Sequence, residues 1–168
     1  MKDMKNVHSL ARSAMIAAIY VVLTLLFAPI SFGAIQFRVA EALMLLPVLT
    51  VDAVPGLFVG CLLGNLLGGS VWFDVLLGAL ATLLAAIFAR KWRNRPLLAA
   101  FSPVLFNGLI VGPVVYFAYT RPAGEPVSAS LLLLCMGAVA LGELAVCYAL
   151  GLPMIFALKK LPRGVISD

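Results

Sequence analysis

The stretch from Ser128 to Leu158 reads SASLLLLCMGAVALGELAVCYALGLPMIFAL, and Glu143 is the one Asp, Glu, Lys or Arg within it. About 20 apolar residues suffice for a helix to cross the hydrocarbon core of a bilayer. This run is longer, so a membrane-spanning helix built from it is expected to tilt, or to bend near Gly151 and Pro153. The rest of the chain agrees. Of 168 residues, 64% are hydrophobic and 11% are charged, against about 45–50% and about 25% in soluble domains. A chain this short has too little interior to hide that excess from water. The composition excludes an ordinary soluble enzyme and a disordered tail.

Working outward, five more apolar segments precede the quoted one: Ser9–Ala28, Val39–Thr50 with Pro47 inside it, Ala53–Gly68, Phe73–Ala89 and Leu97–Tyr119. In lipid every backbone polar group must be satisfied within the protein, and helices do this segment by segment. The expected fold is therefore an all-α integral membrane protein, a single transmembrane domain over 1–168 with six helices. Val39–Thr50 and Ala53–Gly68 are shorter than a straight span and are expected to tilt or to lean on the bundle. Ser9–Ala28 is too long for a signal-peptide core and more spans follow it, so it is read as structure.

An even number of spans places both termini on one side. Lys2, Lys5, Arg12, Arg90, Lys91, Arg93, Arg95, Lys159, Lys160 and Arg163 then share that side, which leaves Arg38 and Arg121 on the other. The positive-inside rule makes the shared side the cytoplasm of a multi-pass cell-membrane protein. The net charge of +5 is thus a topology signal and requires no nucleic-acid partner.

Glu143 lies halfway along the last segment. A carboxylate near the bilayer midplane is costly unless partnered, so it is expected either to contact substrate or to hold a structural hydrogen bond. Its helical neighbours Ala140, Cys147 and Gly151 are small, which predicts a face turned into the bundle. Asn107 sits at similar depth and offers both donor and acceptor. It is a candidate for substrate contact or for joining two helices. A second polar group, Gln36, Arg38, Glu41, Asn65 and Asp74, falls near the outer surface. Arg38 and Glu41 are three apart and within pairing range on one helix turn. Asp74 opens a segment, where a carboxylate also suits the helix dipole. Phe32, Phe37, Trp72 and Phe73 share that layer as interface-belt residues or as stacking surfaces for a planar ligand. Tyr116 and Tyr119 read as belt residues, and Asp52 as a helix cap before Pro55.

Gly56, Gly60, Gly64 and Gly68 recur every four residues and form a ridge against which another backbone packs closely, within the chain or from another subunit. Ala14 and Ala18 form a small-residue patch at the cytoplasmic end of the first segment, open to the same two readings. Cys61, Cys135 and Cys147 lie in apolar runs and read as small buried hydrophobes. His8 reads as solvated. No GxxxxGK[ST] loop, HExxH or Ser-His-Asp arrangement is present, so no enzymatic role, metal or cofactor is expected, and any ATP hydrolysis would belong to partners.

Several motifs together resemble the QueT family. They are Phe27-Ala28-Pro29-Ile30-Ser31-Phe32-Gly33, Gln36-Phe37-Arg38, Glu41-Ala42-Leu43, Pro55-Gly56-Leu57-Phe58-Val59-Gly60-Cys61, Asn65-Leu66-Leu67-Gly68-Gly69, Gly142-Glu143 and Cys147-Tyr148-Ala149-Leu150-Gly151-Leu152-Pro153. The family is similar to the substrate-binding S components of energy-coupling factor transporters. The resemblance implies the six-helix S-component fold and an outward-opening pocket built from outer loops and the last three helices. It also implies docking on a module of one transmembrane coupling protein and two ATPases, with Ala14 and Ala18 matching the docking patch. The implied cargo is a queuosine precursor, a deazaguanine base. Glu143 would anchor the base edge, with Asn107 and Gln36 as amide partners and Arg38, Glu41, Asn65, Asp74 and Phe37 around them. The alternatives are an S component for another vitamin such as cobalamin, or a stand-alone channel or secondary transporter. The latter is favoured by inverted repeats, and none is evident.

Overall fold

The computed structural model describes residues 2–31 and 37–160. Among these residues there are helices and links but no strands. The helices are α1 (Lys2–Leu26), the short α2 (Ala28–Ser31), a 3₁₀ helix (Val39–Val48), α3 (Ala53–Leu67), α4 (Trp72–Lys91), α5 (Pro96–Val115), α6 (Ala129–Val146) and α7 (Leu152–Leu158). Single π turns extend α5 through Tyr116–Thr120 and join α6 to α7 through Cys147–Gly151. Among the described residues, four stretches are long and apolar enough to cross a membrane: Asn6–Leu26, Trp72–Lys91, Pro96–Thr120 and Ala129–Leu158.

The two shorter apolar elements lean on the bundle, as their length requires. The helices α1, α3, α4, α5 and α6 pack as successive neighbours. The 3₁₀ helix touches every one of them, as well as α7 and the π turn before it. Nine of its ten residues are buried. A 3₁₀ helix rises about 2.0 Å per residue, so ten residues reach about 20 Å, whereas an α-helix of that length reaches about 15 Å. The segment thereby crosses much of the bundle despite its few residues. Its side chains eclipse every three residues, which puts Arg38, Glu41, Met44 and Pro47 along one edge. The Arg90 guanidinium donates to the Pro47 carbonyl at 3.1 Å, a cation placed at the negative end of the helix.

The glycine ridge is an intramolecular seam. A Cβ on Gly56 would lie 2.7 Å from the Ser13 carbonyl oxygen. One on Gly60 would lie 2.8 Å from the Tyr20 Cβ, and one on Gly64 would meet Thr24 at 3.3 Å. These glycines let α3 lie directly on α1. Asp52 secures the same pair of helices, but not as the expected cap, since its side chain makes no capping bond to α3. Its carboxylate accepts a hydrogen bond from Ser9 and pairs with Arg12 at 3.4 Å. Its carbonyl accepts from Ser13 at 2.8 Å.

The long last segment carries a π turn beside Gly151 and Pro153, where the sequence predicts a bend. Pro153 lacks the N–H that would close the preceding turn, and the backbone widens into the π turn. Gly151 comes so close to the 3₁₀ helix that a Cβ there would meet Leu45 at 3.0 Å and the Ala42 carbonyl oxygen at 3.1 Å. Cys61, Cys135 and Cys147 are buried and free, and His8 is exposed.

Candidate functional site

The 3₁₀ helix carries Glu41 into the middle of the bundle, where its side chain is fully buried. Two elements meet it there. Tyr20 of α1, also buried, donates its hydroxyl to Glu41 Oε1. On α6, Glu143 projects toward the hub and is 3% exposed, close enough for the charges of Glu41 and Glu143 to interact. Asn107 of α5 lies against Glu143. Its Nδ2 donates to Glu143 Oε1 at 2.6 Å. One turn after Glu143, Cys147 points its thiol at Glu143 Oε2 (3.9 Å) and at the Glu41 carbonyl oxygen (3.6 Å). The small-residue face predicted around Glu143 therefore does turn inward.

A second polar group adjoins the first through Arg38, the residue that leads into the 3₁₀ helix. Arg38 Nη2 pairs with Asp74 Oδ2 at 3.4 Å, with side chains 5% and 0% exposed. Asp74 thus does more than suit the α4 dipole: it is the buried counter-ion of Arg38. Asn65 of α3 donates Nδ2 to the Asp74 carbonyl at 3.2 Å. The backbone of Gly78, one turn along α4, leaves room for this cluster, since a Cβ there would lie 2.9 Å from Asn65 Nδ2. Tyr119 touches the cluster from the π turn after α5. Its hydroxyl donates to Asp74 Oδ2 at 3.5 Å and accepts from the Val71 N–H at 3.2 Å.

Glu143, Asn107, Glu41, Arg38, Asp74 and Asn65, singled out from sequence at six separated positions, thus form adjoining buried groups. Phe37 is half-buried beside Arg38. Gln36 and Phe32 fall outside the described residues. Trp72 and Phe73 stack on one another, ring centroids 3.6 Å apart, and stay exposed, in keeping with an interface belt. Tyr116 departs from the belt expectation. It is buried, and its hydroxyl accepts from the Ser128 N–H at 2.8 Å, fastening α5 to the start of α6. Sequence reading missed Tyr20 and Gly78. The signals were a tyrosine inside an apolar helix, whose hydroxyl needs a partner when buried, and a glycine one turn after a buried aspartate.

Acceptors outnumber donors in this interior. Among the described residues, Glu41 Oε2, Asn107 Oδ1, Asn65 Oδ1 and Asp74 Oδ1 are buried without a hydrogen-bond partner. A buried acceptor is normally paired. An ionised Glu143 carboxylate only accepts, and it therefore faces the Nδ2 side of the Asn107 amide. The arrangement is suited to receiving a molecule rich in N–H donors.

Surface grooves among the described residues lie away from these groups. One, of about 470 Å³, runs between α1 and α3 and is lined by Ser13, Ala14, Ala17, Pro55, Gly56 and Val59 among others. Ala14 and Ala18 are exposed on α1. Another lies between α1, the 3₁₀ helix and α7 around Ile16, Leu43 and Met154, and a further one between α4 and α5 around Phe73 and Pro113.

The pattern of the QueT transporter family matches residues 10–160, nearly the whole chain. The chain belongs to the QueT transporter family. It is also similar to the queuosine precursor transporter QueT of Lactococcus lactis subsp. cremoris (strain MG1363), with 36% identity over 86 residues. That alignment covers 50% of this chain, and the chain spans about half the length of the relative. No solved structure matches the chain. Family and apolar helices together make it a multi-pass membrane protein of a transporter family.

Proposed function

We propose that this QueT family member is the substrate-binding S component of an energy-coupling factor transporter and imports a queuosine precursor, a deazaguanine base. Six helices, the four long ones and the two that lean on the bundle, make up its membrane domain, with both termini in the cytoplasm. The protein captures its ligand from outside and reorients within a complex of one transmembrane coupling protein and two ATPases. The exposed Ala14 and Ala18 face of α1 docks on that complex. No phosphate-cradling loop occurs in the sequence, which fits a subunit powered by partners and one that performs no chemistry of its own. The relative from Lactococcus lactis is named for the same cargo.

The observation that carries the reading is the buried pair Glu143 and Asn107, joined at 2.6 Å in the middle of the bundle. A guanine-type edge presents a ring N–H beside an exocyclic amino group. A carboxylate accepts from both at once. Asn107 orients Glu143 and offers its own Oδ1 to a further donor. Arg38, Asp74, Asn65 and Phe37 line the outer approach, and Gln36 is assigned as a second amide partner from the sequence alone.

Isothermal titration of the detergent-purified protein with 7-deazaguanine bases, and with cobalamin as the contrasting vitamin, tests this. Deazaguanines are expected to bind and cobalamin is not. Glu143→Gln should weaken deazaguanine binding at least about tenfold, since hydrogen bonds to a charged group contribute about 1.5–3 kcal/mol. Unchanged affinity in a folded Glu143→Gln protein would reject the role.

A further inference from the structure

The groove over the 3₁₀ helix has one charged end. Helices α1 and α7 both pack on the 3₁₀ helix. Between them lies a furrow of about 280 Å³ lined by Ile16 and Ile19 of α1, Leu43 of the 3₁₀ helix, and Met154 and Leu158 of α7. Ile19 is 45% exposed, so the furrow opens sideways, toward the lipid that surrounds a membrane protein of this family. Among the described residues that line it, Arg12 is the only charged one. Arg12 and Leu158 mark the end nearest the chain termini, and Ile19 lies two turns deeper.

The dimensions decide what fits. From Arg12 to Ile19 a helix rises about 10 Å, so about 280 Å³ spread along it leaves a cross-section of roughly 28 Å². An α-helix with its side chains is about 10 Å across, or roughly 80 Å² in section, and cannot be seated there. A single hydrocarbon chain lying along the helices can. Left empty, the apolar walls would forfeit their dispersion contacts.

The charge at the terminal end decides which lipid. Arg12 is paired with Asp52 at 3.4 Å, so its charge is balanced locally. Lys159 and Lys160 follow Leu158 directly, and both are exposed. Their ammonium groups sit on flexible stems that reach toward the membrane surface. A basic recess between helices at that surface suits the phosphate of an anionic lipid, whereas a zwitterionic headgroup brings its own cation.

We propose that the furrow between α1 and α7 binds an anionic phospholipid, with one acyl chain along Ile16, Ile19, Leu43 and Met154 and the headgroup held by Lys159 and Lys160 beside Arg12. The site is separate from the buried Glu143 and Asn107 pair and does not depend on the identity of the cargo.

Native mass spectrometry of the detergent-purified full chain tests this, with equal amounts of phosphatidylglycerol and phosphatidylcholine that carry the same acyl chains. Phosphatidylglycerol is expected to be retained at least about fivefold more. Lys159→Gln combined with Lys160→Gln should cut that preference below about twofold. Ile19→Trp, which fills the furrow, should bring phosphatidylglycerol down to the phosphatidylcholine level. Leu141→Trp, at an exposed position of α6, should change nothing. Should Ile19→Trp fail to fold, Ile19→Phe replaces it. Equal retention of the two lipids by the unaltered protein overturns the inference. So does a preference that survives either the lysine substitutions or the filled furrow. A dimer that Ile19→Trp dissolves also overturns it, because a second copy of the chain would then occupy the furrow.

Discussion

Arg38 and Asp74 form a buried ion pair that ties the entrance of the 3₁₀ helix to the first turn of α4, with Nη2 and Oδ2 3.4 Å apart. Removing one partner from such a pair strands a charge, which costs about 3–5 kcal/mol, whereas removing both costs far less. Arg38→Met and Asp74→Asn should therefore each lower the thermal stability of the detergent-purified protein markedly. The double variant should be more stable than the sum of the two losses predicts. Strictly additive losses in a double-mutant cycle would show that the pair contributes no coupling.

The seam between α1 and α3 yields a contrast between two glycines. Gly60 faces Tyr20 and Ala17 so closely that an added methyl group would sit 2.8 Å from one and 3.1 Å from the other. Gly137, on α6, has nothing within 4 Å of the same position. Gly60→Ala must push the two helices apart, at about 1–3 kcal/mol for overpacking. Gly137→Ala gains helix propensity instead, about 0.8–1.0 kcal/mol in the stabilising direction. Melting temperatures of the two variants should move in opposite directions from that of the parent. A harmless Gly60→Ala would mean that the helices are not in contact there.

The sequence made much of this legible because lipid imposes few choices. The extents of the long spans, the break in regular α-helix beside Gly151 and Pro153 and the inward face of Glu143 all follow from apolar runs, missing N–H groups and small residues at helical spacing. The glycine ridge likewise announced a close backbone approach, though not which helix would supply it. What stayed hidden was long-range pairing. Nothing local to Asp74 or Asp52 distinguishes a helix-opening carboxylate from the counter-ion of an arginine 36 or 40 positions earlier in the chain. The Val39–Thr50 segment was short for a span, and its 3₁₀ form depends on burial by all its neighbours, so no pattern within it gave the geometry. Tyr20 was passed over because its partner, Glu41, lies on a different element and approaches only in the folded bundle.

That tyrosine supplies the last prediction. Tyr20 and Glu41 are both fully buried, and the phenol donates a hydrogen bond to the Glu41 carboxylate. Tyr20→Phe keeps the ring and its packing but leaves a second oxygen of Glu41 without a partner. The unpaired group should cost about 1–3 kcal/mol, seen as a lower melting temperature in the absence of ligand. Glu41→Gln in the same background converts the stranded carboxylate into a neutral amide whose NH₂ group can turn toward Asn107 Oδ1. It should restore part of the lost stability. A ligand that brings its own donor to Glu41 should rescue Tyr20→Phe as well, giving a larger ligand-induced rise in melting temperature than in the parent. If neither the second substitution nor the ligand recovers stability, the loss comes from ring packing, and Tyr20 has no electrostatic part in holding Glu41.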